Sequence, residues 1–166
     1  MKMTLRTFLL LLLCAGCSSV QAAEPSAPNP NGGQKISVKG EPVTPLELER
    51  VLTTVNTFLA ALRSGQNAPG YDLLSPDSKK TESETQWNEL FDQMHDKTGK
   101  RLSSTFGFAL RTDTLPNAPK SDYVVVGLKS SFEKARLAET IILTKVDDRY
   151  LISGYHFQST DASKQP

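Results

Sequence analysis

Glu139, inside the apolar run RLAETIILTKV, is the residue best placed by type and surroundings to do chemistry. Its period-two neighbours Leu137, Ile141 and Leu143 make the more apolar face of the run, so a core on that face would carry the carboxylate inward. A buried carboxylate must be paired or must hold its proton abnormally, which is how many acid–base sites are recognised. The plainer alternative puts Glu139 at the rim of a sheet, partly solvated or paired with an Arg or Lys. The opposite face, Ala138, Thr140 and Ile142, competes for the same core.

Tyr155 and His156 are neighbours on the last extended run and must point to opposite faces, with Tyr155 sharing parity with Leu151 and Phe157. A tyrosine hydroxyl beside a carboxylate can polarise a carbonyl, so Glu139 as base and Tyr155 as donor would suit a small isomerase or dehydratase. The bland alternative is a core tyrosine whose hydroxyl is satisfied by a neighbour. Trp87, the single tryptophan, reads as a core anchor or as a stacking platform. Arg101 stands just before the first long extended run and suits an ion pair, a solvated surface or an anion contact. Trp87, Arg101, Glu139, Tyr155 and His156 are therefore the candidate ligand- or partner-binding residues. His95 and His156 stand alone without ligand spacing, so no metal is expected. The chain carries no G-x-S-x-G, no P-loop and no G-x-G-x-x-G, and no cofactor is implied.

Positioning these residues falls to two helices and four strands. Thr44 can cap a helix with Pro45 at its first position and Glu47 completing a capping box, and Leu48, Val51, Leu52, Val55, Phe58, Leu59 and Leu62 follow as one apolar stripe. Gly65 ends it. GYDLLSP fits a short helical turn pinned by Tyr71 and Leu74. Ser83 with Gln86 repeats the capping pattern before Trp87, Leu90, Phe91 and Met94, and Gly99 stops this helix. From Leu102 the period becomes two: Leu102, Phe106, Phe108 and Leu110 alternate as one apolar face, and YVVVGLKSSF, LAETIILTKV and RYLISGYHFQ come next with short connections. Helices followed by an antiparallel meander predict an α+β domain, N-terminal helices packed on a curved four-stranded sheet.

The first residues are of a different kind. Lys2 and Arg6 precede an apolar stretch from Phe8 to Leu13, too short to span a bilayer, which predicts an export signal over residues 1–22. Cys14-Ala15-Gly16-Cys17 suits lipid attachment at Cys17, while Val20-Gln21-Ala22 suits ordinary cleavage before Ala23. Residues 23–43, rich in Pro, Asn, Gly and Ser, read as a disordered linker. About 20 flexible residues reach roughly 25 Å, which suits a tether and favours the anchor. The domain spans 44–159, and 160–166 is a polar tail. On either route the mature fold has no disulfide, and membrane contact is expected through an N-terminal anchor alone.

Of 19 basic residues, Lys2 and Arg6 lie in the leader, leaving 17 against 18 acidic, about −1. No basic run survives, which argues against nucleic acid as a partner.

The stretch YVVVGLKSSFEKARLAETIILTKVDDRYLISGYHFQ, with Trp87 before it and Arg101-Leu102 opening the first strand, resembles a bacterial family of exported domains of unknown function. The resemblance covers about Leu48 to Gln158; Arg149-Tyr150 stand where members often carry Gly and Trp. It implies a cone-like sheet wrapped on helices, as in nuclear-transport-factor-2-like (cystatin-like) folds, which include isomerases and pure binding modules. Fold does not choose between them. The expectation is a periplasmic or outer-membrane-tethered, non-enzymatic domain that binds a protein or a small apolar ligand, for instance a toxin-neutralising immunity protein. The isomerase and a structural envelope lipoprotein are the alternatives. A homodimer would use the outer sheet face around Thr140, Ile142 and Thr144.

Overall fold

The computed structural model describes residues 38–65 and 67–160. The leader with Cys17, the linker as far as residue 37 and the tail beyond Thr160 lie outside the described residues.

The capping residues act where the sequence puts them. Helix α1 runs Pro45–Arg63, and Thr44 Oγ1 accepts from the Glu47 amide at 3.3 Å. The Glu47 carboxylate does not return to Thr44; it accepts from the Tyr150 hydroxyl at 2.6 Å, tying the helix start to the last strand. Two six-residue helices come next, α2 (Asn67–Asp72) and α3 (Pro76–Thr81), the latter capped by Ser75. Helix α4 spans Glu84–Thr98 with both halves of the Ser83–Gln86 capping box formed. Gly99 succeeds it at φ 73°, a conformation that favours glycine.

The sheet has five strands in the order β1-β2-β3-β4-β5, every pair antiparallel, and it stays open. They are β1 (Glu41–Pro42), β2 (Arg101–Thr112), β3 (Tyr123–Phe132), β4 (Arg136–Val146) and β5 (Arg149–Ser159). The four strands expected are β2 to β5. The fifth is the pair Glu41 and Pro42, which lies against Arg111 and Leu110 and precedes the helices. Two residues carry no periodicity, so local pattern cannot reveal such a strand.

The inner face of the sheet and the helices share one core. Val51, Val55 and Phe58 of α1 and Trp87 and Phe91 of α4 meet Val124, Val126, Ile141, Leu143 and Ile152. Burying a side chain such as Phe58 contributes about 1.5–3 kcal/mol. A smaller cluster, Leu115, Tyr123, Val125 and Ile142, covers part of the outer face.

Bulges change two parity assignments. Register shifts fall between Arg101 and Ser103 and between Phe106 and Phe108, so the expected single apolar face of β2 does not exist. Leu102, Phe106 and Phe108 are 62%, 43% and 45% exposed. On β5 a shift opposite Ile142 and Leu143 brings Tyr150 and Ile152 inward on one side and Tyr155 and Phe157 on the other, so Leu151 does not share the face of Tyr155.

Candidate functional site

Glu139 is the fourth residue of β4, opposite Leu128 of β3 and Phe157 of β5, and both of those pack in the inner core. Of the two placements open from sequence, the inward one holds: Glu139 is 1% exposed. The plainer alternative is half realised, because the carboxylate is paired, though in the core and not at the rim.

Its partner is Arg101, 38 residues earlier. Gly99 ends α4 and aims the chain into β2, and the bulge after Arg101 leaves both Arg101 and Ser104 on the inner side. The guanidinium grips the carboxylate with both forks: Nη1 donates to Oε2 at 2.6 Å and Nη2 to Oε1 at 2.7 Å. Nη1 also lies 2.8 Å from Ser130 Oγ and 3.0 Å from Ser104 Oγ, and the two hydroxyls are bonded to each other at 2.9 Å. The guanidinium carbon sits 4.6 Å from the centre of the Phe132 ring. The Tyr155 hydroxyl donates to Glu139 Oε1 and lies 3.5 Å from Arg101 Nη2. Its ring packs on Phe58 and Phe91, each 5.5 Å away between centroids.

The network is satisfied at both Nη atoms of Arg101, whereas its Nε is buried without a hydrogen-bond partner among the described residues. Burial raises the Tyr155 hydroxyl well above its ordinary pKa, and the neighbouring carboxylate adds to this, so the phenol keeps its proton. Desolvation works against the Arg101 cation, yet the hydrogen bond and charge of Glu139 outweigh it and leave its pKa raised.

A general base must bring an oxygen within about 3 Å of the proton it takes. Both Glu139 oxygens already accept, and the neighbouring cleft of about 100 Å³ is lined by Arg101 and Phe132 but by neither Glu139 nor Tyr155.

The remaining candidates separate. Trp87 is 2% exposed and sits in the same aromatic cluster, 4.5 Å from Phe91, with Nε1 donating to the Asn67 carbonyl at 3.2 Å. It is a core anchor, sealed from solvent. His156 pairs opposite Thr140 on the outer face, away from Tyr155, and is exposed. Among the described residues no group of three or more His, Cys, Asp or Glu is placed to hold a metal ion. Cys17 lies outside them.

Ser104, Ser130 and Phe132 complete the network and were not singled out in the sequence. Ser130 had a signal: it shares parity with Val124, Val126 and Leu128, a polar residue in an apolar row. Ser104 had none, because a bulge decides its face.

A family model described as "Protein of unknown function (DUF4019)" matches residues 54–155, a span that holds Arg101, Glu139 and Tyr155. No curated protein matches the chain.

Proposed function

The chain belongs to the DUF4019 family, proteins of unknown function, and from that premise we propose that it is an exported, non-enzymatic domain that binds another protein through strand β2. The observation that carries this is the position of its exposed apolar side chains. Among the described residues the large hydrophobics left exposed are Leu46, Leu102, Phe106 and Phe108, and three of these four lie on β2. Single exposed apolar residues are ordinary; these three, divided by the bulges between the two faces of the sheet, gather along one strand and support an interaction there.

Two further features favour a protein over a small ligand. The cleft beside Arg101, at about 100 Å³, falls below the roughly 300–1,000 Å³ of small-molecule sites. The larger open groove, about 680 Å³, is walled by charged residues such as Lys39, Arg111 and Asp122 and does not suit an apolar guest. In this proposal the Arg101–Glu139–Tyr155 network is a scaffold that holds the sheet behind the binding strand. Export rests on the leader, with Lys2 and Arg6 ahead of its apolar stretch.

The test is co-purification from the protein's own cells with the wild-type chain and with Phe108→Lys. A partner held by the first and lost by the second, with the fold intact by circular dichroism, supports the proposal. Equal capture by both chains refutes it, as does turnover that disappears in Glu139→Gln.

A further inference from the structure

We infer that the cleft between the C-terminal ends of α1 and α4 and the start of β2 is a site for a small oxyanion, a carboxylate or phosphate group that accepts from Arg101 Nε. It stands apart from the protein binding proposed for β2.

The observation behind it is a donor left over. Both Nη atoms of Arg101 have acceptors: Glu139 takes a hydrogen from each, Ser104 and Ser130 stand by Nη1, and the Tyr155 oxygen lies 3.5 Å from Nη2. Nε has none among the described residues, although the side chain is only 2% exposed. Buried donors are rarely left unpaired, and one that belongs to a cation is the costliest to leave so.

The unpaired N–H and the cleft adjoin. A guanidinium is planar, and its Nε–H bond shares an edge with Nη2. That edge lies on the side of Tyr155, whose hydroxyl is 3.8 Å from Met94 Sδ. Met94 walls the cleft, together with Arg101 itself and the Phe132 ring that lies against the guanidinium.

Size and charge select the guest. A volume of about 100 Å³ is small for a metabolite but has room for a few water-sized groups, the bulk of a carboxylate or a phosphate. Arg63 and Lys100 line the cleft and are exposed, and their long stems let both cations fold onto an anion. Asp92, the one carboxylate in the lining, is held by Asn67 Nδ2 at 3.1 Å. Glu133, outside the lining, is turned to the Lys100 amide at 3.0 Å.

Helix C-termini ordinarily repel anions, because their last carbonyls are unpaired. Here those carbonyls are taken. On α1, Ser64 donates to Ala60 and Ala61 and the Gly65 amide to Leu62. On α4, Thr98 Oγ1 donates to Met94, the Gly99 amide to His95 and Lys134 Nζ to Asp96. Donors, led by Arg101 Nε, are what remain to meet a guest.

The experiment follows the Arg101 Nε–H resonance of the full chain by proton–nitrogen NMR while sodium phosphate, sodium acetate or sodium chloride is exchanged in at one ionic strength. Phosphate or acetate should move that resonance and the Lys100 amide along a saturating curve, and chloride should not. Arg63→Gln combined with Lys100→Gln should weaken binding about tenfold or more. Lys145→Gln removes a like charge near the other end of β4 and should leave it unchanged. Circular dichroism confirms that each variant is folded. An Nε–H resonance that stays in place with both oxyanions overturns the inference. So does an equal shift in chloride, or an affinity indifferent to the loss of Arg63 and Lys100.

Discussion

Replacing Glu139 by Leu should be among the most destabilising single changes in this domain. The side chain is fully buried, as is nearly all of Arg101, whose guanidinium keeps its charge at any pH at which the protein folds. Removing the carboxylate strands that cation in the core and takes away the acceptor of the Tyr155 hydroxyl. Breaking a buried pair from one side costs about 3–5 kcal/mol, a large share of the ~5–15 kcal/mol that holds a typical domain together. With a urea slope of about 1–3 kcal/mol/M, the midpoint should fall by roughly 2 M. Arg101→Met should cost less, because the carboxyl left behind can take up a proton, as a guanidinium cannot lose one. The pair Arg101→Met with Glu139→Leu should recover most of the loss, to within about 1 kcal/mol of the wild type, since an apolar replacement removes both desolvation penalties. The assay is urea unfolding monitored by Trp87 fluorescence, whose indole is buried beside Phe91 and is exposed on unfolding. A loss below about 1 kcal/mol for Glu139→Leu would refute the reasoning. A double variant no more stable than Glu139→Leu would do the same, because the penalty would not then come from an unpaired charge.

Alkaline pH supplies an independent check. Burial, reinforced by the bond to Glu47, pushes the Tyr150 hydroxyl up to about 12, and Tyr155 is also raised, whereas unfolded tyrosines ionise near 10. The unfolded chain therefore loses these protons first, so stability should hold below about pH 10 and decline as the pH rises toward 12. The pH dependence of urea midpoints should flatten in Tyr150→Phe and Tyr155→Phe; unchanged slopes would contradict the assigned environments. Gly70→Ala, inside α2, should raise stability by about 0.5–1 kcal/mol, because the added Cβ meets Trp87 Nε1 at an ordinary 3.6 Å; a lower thermal midpoint would count against it. Gly99→Ala should cost about 1–3 kcal/mol, since the residue sits at φ 73° and the new Cβ would lie 2.7 Å from Glu133 Oε2, which accepts from the Lys100 amide. An unshifted urea midpoint would show that this turn relaxes freely.

The four long strands and two main helices were legible in the residues themselves because their signals are local. Ser83 and Gln86 bond each other across one helical turn, and the Leu137–Glu139–Ile141 parity is a consequence of the strand repeat. That parity left Glu139 open between the core and the sheet rim, and burial behind the helices decided for the core. The carboxylate's role there was not local: Arg101 is 38 residues away and Tyr155 a further 16 beyond Glu139. Only strand pairing brings them together, and pairing turned a candidate base into the acceptor of a buried ion-pair network. Bulges at Leu102, Gly107 and Ser153 have no reliable mark in the sequence, yet each flips the face of the residues beyond it. Thus Leu102 and Phe108, apolar members of the expected alternation, stand exposed. The sequence by itself determined which segments become helix or strand and that an acid stands in the apolar row of β4, because those depend on neighbours within a few residues. Which cation meets that acid, and which apolar side chains remain at an open edge, depended on the register between distant strands, and that was decided by the tertiary structure alone.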